Sequence, residues 1–184
     1  MRSLSKAKHL AGLAMFTALA MILSYVEILI PVSFGIPGVK LGLTNLVTVL
    51  ILMTGKSDRG YDAYRLFDAL IVVIARIVLV GFLFTDLYAM IYSLSGGLFS
   101  LLFMWLFSGS LKLSAAGISV IGGIAHNFAQ LVVAALVVEQ LRIFYYAPVL
   151  LFSGTLTGFL IGIVANLIIN RRGVTDYYDR FFKG

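Results

Sequence analysis

The chain has 184 residues, 61% of them hydrophobic and 12% charged, with a formal net charge of +6 and no cysteine. That is about half the charge of an ordinary soluble domain, and a mean hydropathy of +1.04 leaves too little polar surface to coat a water-soluble globule. Disulfides, thiolate zinc sites and thiol catalysis are excluded, and in so apolar a chain the positive excess reads as membrane topology rather than nucleic-acid binding.

Arg2, Lys6 and Lys8 precede an apolar run over residues 10–30. It is longer than a secretory leader's core and ends in Glu27 and Pro31 without a small-residue cleavage site, so it reads as a retained first helix. A crossing needs roughly 20 apolar residues. On that measure further spans fall at residues 41–54, 66–84, 87–107, 113–138 and 144–169. The second is short, closed by Thr54 and Gly55, and residues 31–40 before it carry Pro31, Gly35, Pro37 and Gly38. Those ten residues read as an outer loop that dips into the protein, which irregular backbone does only where protein or a water-filled cavity covers it.

The fold expected is therefore all-α: a single membrane domain over residues 1–184 with six transmembrane helices. Charge sets its orientation. With the N-terminus inside, the inner segments hold Arg2, Lys6, Lys8, Lys56, Arg59, Arg65, Lys112, Arg171, Arg172, Arg180 and Lys183, while the outer ones hold Lys40 and Arg142. Both termini, about residues 1–9 and 171–184, are expected on the cytoplasmic side of the cell membrane.

Two stripes of small residues stand out. Ala7, Ala11, Ala14 and Ala18 share one face of the first helix, and Gly154, Gly158 and Gly162, continued by Asn166, share one face of the sixth. Small side chains let helices approach closely in lipid. Either stripe serves packing within the chain or docking of a partner subunit.

Polar residues at membrane depth are costly and normally face a cavity or a partner. Arg76 lies near the middle of the third span, and His126, Asn127 and Gln130 lie together on one surface of the fifth. Asn45 falls in the outer half of the second, and Lys40 just before it. Glu27, Asp86, Glu139 and Arg142 sit near outer helix ends. These residues read either as a buried hydrogen-bond network or as a chamber for an anionic solute, with Glu27 and Glu139 as competing partners for Arg76.

Catalytic signatures are missing. There is no Walker A sequence and no aspartate-rich element to hold magnesium against diphosphate. The close acidic pairs, Asp58/Asp62 and Asp176/Asp179, lie in basic segments. Neither a metal site, a cofactor nor a catalytic residue is expected, and the chain is not read as an enzyme.

The segments GVKLGLTNLVTVLILM (38–53), HNFAQLVVAAL (126–136) and PVLLFSGTLTGFLIGIVANLII (148–169) resemble the Gx transporter family, also labelled heptaprenyl diphosphate synthase component I. The resemblance runs from about residue 10 to 172. That family is similar to the substrate-binding S components of energy-coupling factor transporters. The resemblance implies six membrane helices, a micronutrient site near the outer face, and partnership with a transmembrane coupling subunit and two ATPase subunits. It also implies docking through an alanine-rich face of the first helix, which Ala7, Ala11, Ala14 and Ala18 match. The expected ligand is a small anionic micronutrient such as a flavin or a related precursor, contacted by Lys40, Asn45, Arg76, His126, Asn127 and Gln130. The alternatives are an accessory membrane subunit of heptaprenyl diphosphate synthesis and a stand-alone secondary carrier with His126 as proton site.

Overall fold

The computed structural model describes residues 2–30, 42–54, 63–110 and 113–171. Among them there is no strand. The elements are α1 (Arg2–Leu29), α2 (Asn45–Met53), α3 (Ala63–Phe84), α4 (Leu87–Ser110), α5 (Ala115–Val138), a 3-10 turn η1 (Leu141–Tyr146) and α6 (Ala147–Ile169). Five helical stretches, all but α2, are long and apolar enough to cross a membrane.

Local chemistry sets several of the boundaries. The carboxylate of Asp86 accepts the backbone N–H of Ala89 at 2.7 Å, capping the start of α4. Ser114 caps α5 by accepting from the N–H of Gly117. Glu139 ends that helix in the left-handed conformation, and Pro148 in the first turn of α6 costs no helical hydrogen bond there.

Successive helices alternate in direction, so α1 and α3 run parallel. The end holding the start of α1 is called the near end, and the end holding Leu29 and Leu87 the far end. Large apolar side chains cover the outside: Phe82, Leu136, Leu141 and Phe152 are each more than 70% exposed. The inside holds Ser24, Asn45, Arg76, Ser100, Ser119, His126, Asn127 and Gln130, all buried beside aliphatic residues. An apolar coat around a core containing polar groups is the arrangement expected of a chain whose solvent is lipid.

The second span departs from expectation. Helix α2 has 9 residues, about 14 Å of helix at 1.5 Å per residue, roughly half the hydrocarbon thickness. It touches all five of the other helices, and seven of its nine residues are buried. It is a central plug rather than a sixth spanning helix. The expected loop at residues 31–40 lies outside the described residues.

The α4–α5–α6 side is joined by close backbone contact. A Cβ on Gly158 would stand 2.7 Å from the carbonyl oxygen of Ser119, and one on Gly154 the same distance from that of Gly123. A Cβ on Gly162 would stand 2.4 Å from the Cα of Ala116. The glycine stripe of α6 thus packs within the chain, against the small face Ala116–Ser119–Gly123 of α5. Asn166 does not continue it: that residue is exposed, and Ala165, fully buried, takes the next place.

Candidate functional site

Three of the polar residues singled out in the sequence meet on one helix. The imidazole of His126 lies so close over Gly96 of α4 that a Cβ there would be 2.8–2.9 Å from three of its ring atoms. The Arg76 guanidinium approaches the neighbouring Gly97, 3.6 Å from where its Cβ would be. The Gln130 amide donates to the Tyr92 carbonyl, one turn further along α4, at 3.5 Å. The adjacent glycines make the notch that admits both a guanidinium from α3 and an imidazole from α5. Ser100 follows one turn toward the near end on the same face, 1% exposed, its hydroxyl without a hydrogen-bond partner among the described residues.

Asn127 turns the other way. Its amide donates to the Leu150 carbonyl of α6 at 2.9 Å, which commits it to holding α5 against α6. Asn45 is buried at the head of α2, where its backbone N–H donates to the Gly42 carbonyl at 2.8 Å. Lys40 lies outside the described residues.

Arg76 is 7% exposed. Its Nη1 donates to Ser24 Oγ of α1 at 3.4 Å, and no salt bridge to it exists among the described residues. The charge of Glu27 acts on it across the α1–α3 seam, while the Glu27 carboxylate itself accepts the backbone N–H of Gly42. Gly42 has φ of +69°, a conformation that suits glycine, so the entry into α2 is pinned to the far end of α1. Glu139, the other carboxylate considered for Arg76, is exposed at the end of α5. An open cleft lined by Gln140, Leu141 and Arg142 lies beside it.

At the near end His9 Nε2 lies 2.9 Å from Asp68 Oδ1, joining α1 to α3. Sequence reasoning missed this pair, as it missed Ser24 and the Gly96–Gly97 notch. The glycine doublet between Ser93 and Ser100 was the one available signal. The His9–Asp68 pairing has none, because 59 residues separate its members. The alanines at 7, 11, 14 and 18 are all exposed, on the side of α1 away from its buried Leu13, Phe16, Ala20 and Ser24.

A bundle of apolar-coated helices around an internal cluster of arginine, histidine and amide side chains has the build of a multi-pass membrane protein with a polar interior. The chain belongs to the heptaprenyl diphosphate synthase component I family, whose model matches residues 16–168. No curated protein and no solved structure matches it.

Proposed function

We propose that the protein is the substrate-binding membrane subunit of an energy-coupling factor type transporter. Its ligand is a small anionic micronutrient, a flavin or related precursor being one candidate. The observation that carries this reading is Arg76. A guanidinium at membrane depth needs several acceptors, and among the described residues this one has a single hydrogen bond, to the Ser24 hydroxyl at 3.4 Å, with the Glu27 charge acting from across the seam. A ligand carboxylate or phosphate would satisfy it with paired, charge-assisted hydrogen bonds. His126, the Ser100 hydroxyl, Asn45 and Lys40 are the further contacts proposed. Asn127 and Gln130, already bonded to backbone carbonyls, contribute mainly by holding the site's walls. The exposed alanine face of α1 is the proposed docking surface for a coupling subunit, with two ATPase subunits beneath it. The protein would lie in the cell membrane with both termini in the cytoplasm.

Native mass spectrometry of gently extracted protein tests both parts. The native chain should retain a small anionic molecule and a membrane partner. Arg76→Gln should lose the molecule, and Ala11→Leu with Ala14→Leu should lose the partner while keeping the molecule. A native preparation that carries no small molecule, or an unchanged one in R76Q, refutes the capture role.

The family's description favours a second reading, a membrane accessory subunit of heptaprenyl diphosphate synthesis. Under it the tagged chain would bring down a soluble prenyl synthase, and deleting it would change the length of the prenyl product.

A further inference from the structure

At the far end the chain leaves α5 through Glu139 in the left-handed conformation, φ of 55°. Gln140 is extended, and η1 (Leu141–Tyr146) then leads into α6. Among the described elements η1 touches only α5 and α6. None of its residues is buried, although all but Arg142 are large and apolar or aromatic. Leu141 is 81% and Tyr145 84% exposed. Left in water, such side chains would carry the full cost of hydrating their apolar surface. At the end of two membrane spans they stand where hydrocarbon gives way to headgroups. Tyrosine, with an apolar ring and a polar tip, suits that boundary.

The cleft lined by Gln140, Leu141 and Arg142 lies at this boundary, with a volume of about 390 Å³. Neither the Gln140 carboxamide nor the Arg142 guanidinium makes a hydrogen bond or ion pair among the described residues, and the nearby Glu139 carboxylate does not pair with the arginine. Both side chains carry N–H donors, and the planar guanidinium fork matches two oxygens of a phosphate. Leu141 gives the cleft an apolar wall. Donors beside an apolar wall, at headgroup depth, fit a molecule with an anionic head and a hydrocarbon tail. A free phosphate uses only the donors.

We infer that this cleft binds the phosphodiester headgroup of an anionic phospholipid in the far-side leaflet. Arg142 and Gln140 hold the phosphate oxygens, and the acyl chains run over Leu141 toward the exposed Leu136 and Val138 at the end of α5. The bound lipid covers the apolar side chains of η1 that the protein itself leaves bare, and it fixes the depth of the α5–α6 pair in the bilayer. The site is separate from Arg76 and stands whether or not the interior takes a solute.

Lipid titration followed by native mass spectrometry tests this. The full chain, purified in detergent, is titrated with short-chain phosphatidylglycerol, with short-chain phosphatidylcholine, and with phosphatidylglycerol in the presence of millimolar inorganic phosphate. Arg142→Gln is compared with Arg171→Gln, which removes one exposed cation at the opposite end of α6. The expected result is a first phosphatidylglycerol whose affinity falls about fivefold in R142Q, the effect of one cation at a lipid surface, and stays unchanged in R171Q. Phosphatidylcholine, with no net charge, should bind more weakly, and inorganic phosphate should not displace the lipid. An unchanged affinity in R142Q overturns the inference, as does equal weakening in both variants, which would mean that binding follows net charge alone. Equal binding of the two lipids overturns the anionic class. Displacement by inorganic phosphate would make the cleft a site for a soluble anion and overturn the lipid.

Discussion

His9 on α1 and Asp68 on α3 are 2.9 Å apart, a bridge between parallel helices whose carboxylate partner is 9% exposed and whose imidazole is 42% exposed. The pair draws its value mainly from the carboxylate, which has lost most of its water and needs a donor in return.

Replacing His9 by alanine should therefore destabilise the bundle by roughly 1–2 kcal/mol, and Asp68→Asn by less, since an amide keeps a hydrogen-bonding group there. Thermal unfolding in detergent measures both. A double variant no worse than H9A alone would show that the two residues act as one unit; full additivity would show that the bridge contributes nothing.

The α5–α6 seam should be intolerant of a single methyl. Gly158→Ala places a carbon 2.7 Å from a backbone oxygen and 2.8 Å from the Cα of Val120, and neither can give way as a flexible side chain would. A loss of about 1–3 kcal/mol is expected. Gly117→Ala, whose new carbon would meet Leu113 at 3.4 Å, serves as the control and should be neutral or slightly stabilising, since alanine is the better helix former. Equal melting temperatures for the two variants would contradict the seam's geometry.

Gly96 and His126 should be energetically coupled. Gly96→Ala drives a methyl into the imidazole ring, and His126→Ala removes the ring and makes the space. The double variant should be more stable than the sum of the two single losses allows, with a coupling of at least ~1 kcal/mol. A double-mutant cycle on chemical unfolding reads this directly; a coupling near zero would mean that the ring does not rest in the notch.

Asn127 and Arg76 should separate by readout. Asn127→Ala forfeits the bond to the Leu150 carbonyl and should lower stability by ~1 kcal/mol while leaving small-molecule retention intact. Arg76→Lys keeps the charge but loses the paired donors that a carboxylate or phosphate prefers, so retention should fall with little change in melting temperature. Loss of retention in N127A would move that amide from the wall of the site into its interior.

The sequence made the helical class and the long spans legible, because twenty consecutive apolar residues have few other uses. The family was legible too, from segments spread over most of the chain. It also pointed to Arg76, His126, Asn127 and Gln130 as polar groups at depth, since a charge in an apolar run stands out by contrast alone. Three-dimensional packing decided what each of them does. Periodicity places Asn127 and His126 on one face, yet one turns to α6 and the other to α4, because neighbours 100° apart on a helix of a crowded bundle face different partners. Burial of α2 on all sides was equally hidden: hydropathy scores a plug and a membrane crossing alike, and only the contacts with five surrounding helices tell them apart. The two small-residue stripes read identically in one dimension. The structure seats the glycines against α5 and leaves the alanines uncovered, because whether a small face is filled depends on which helix the chain's topology brings to it.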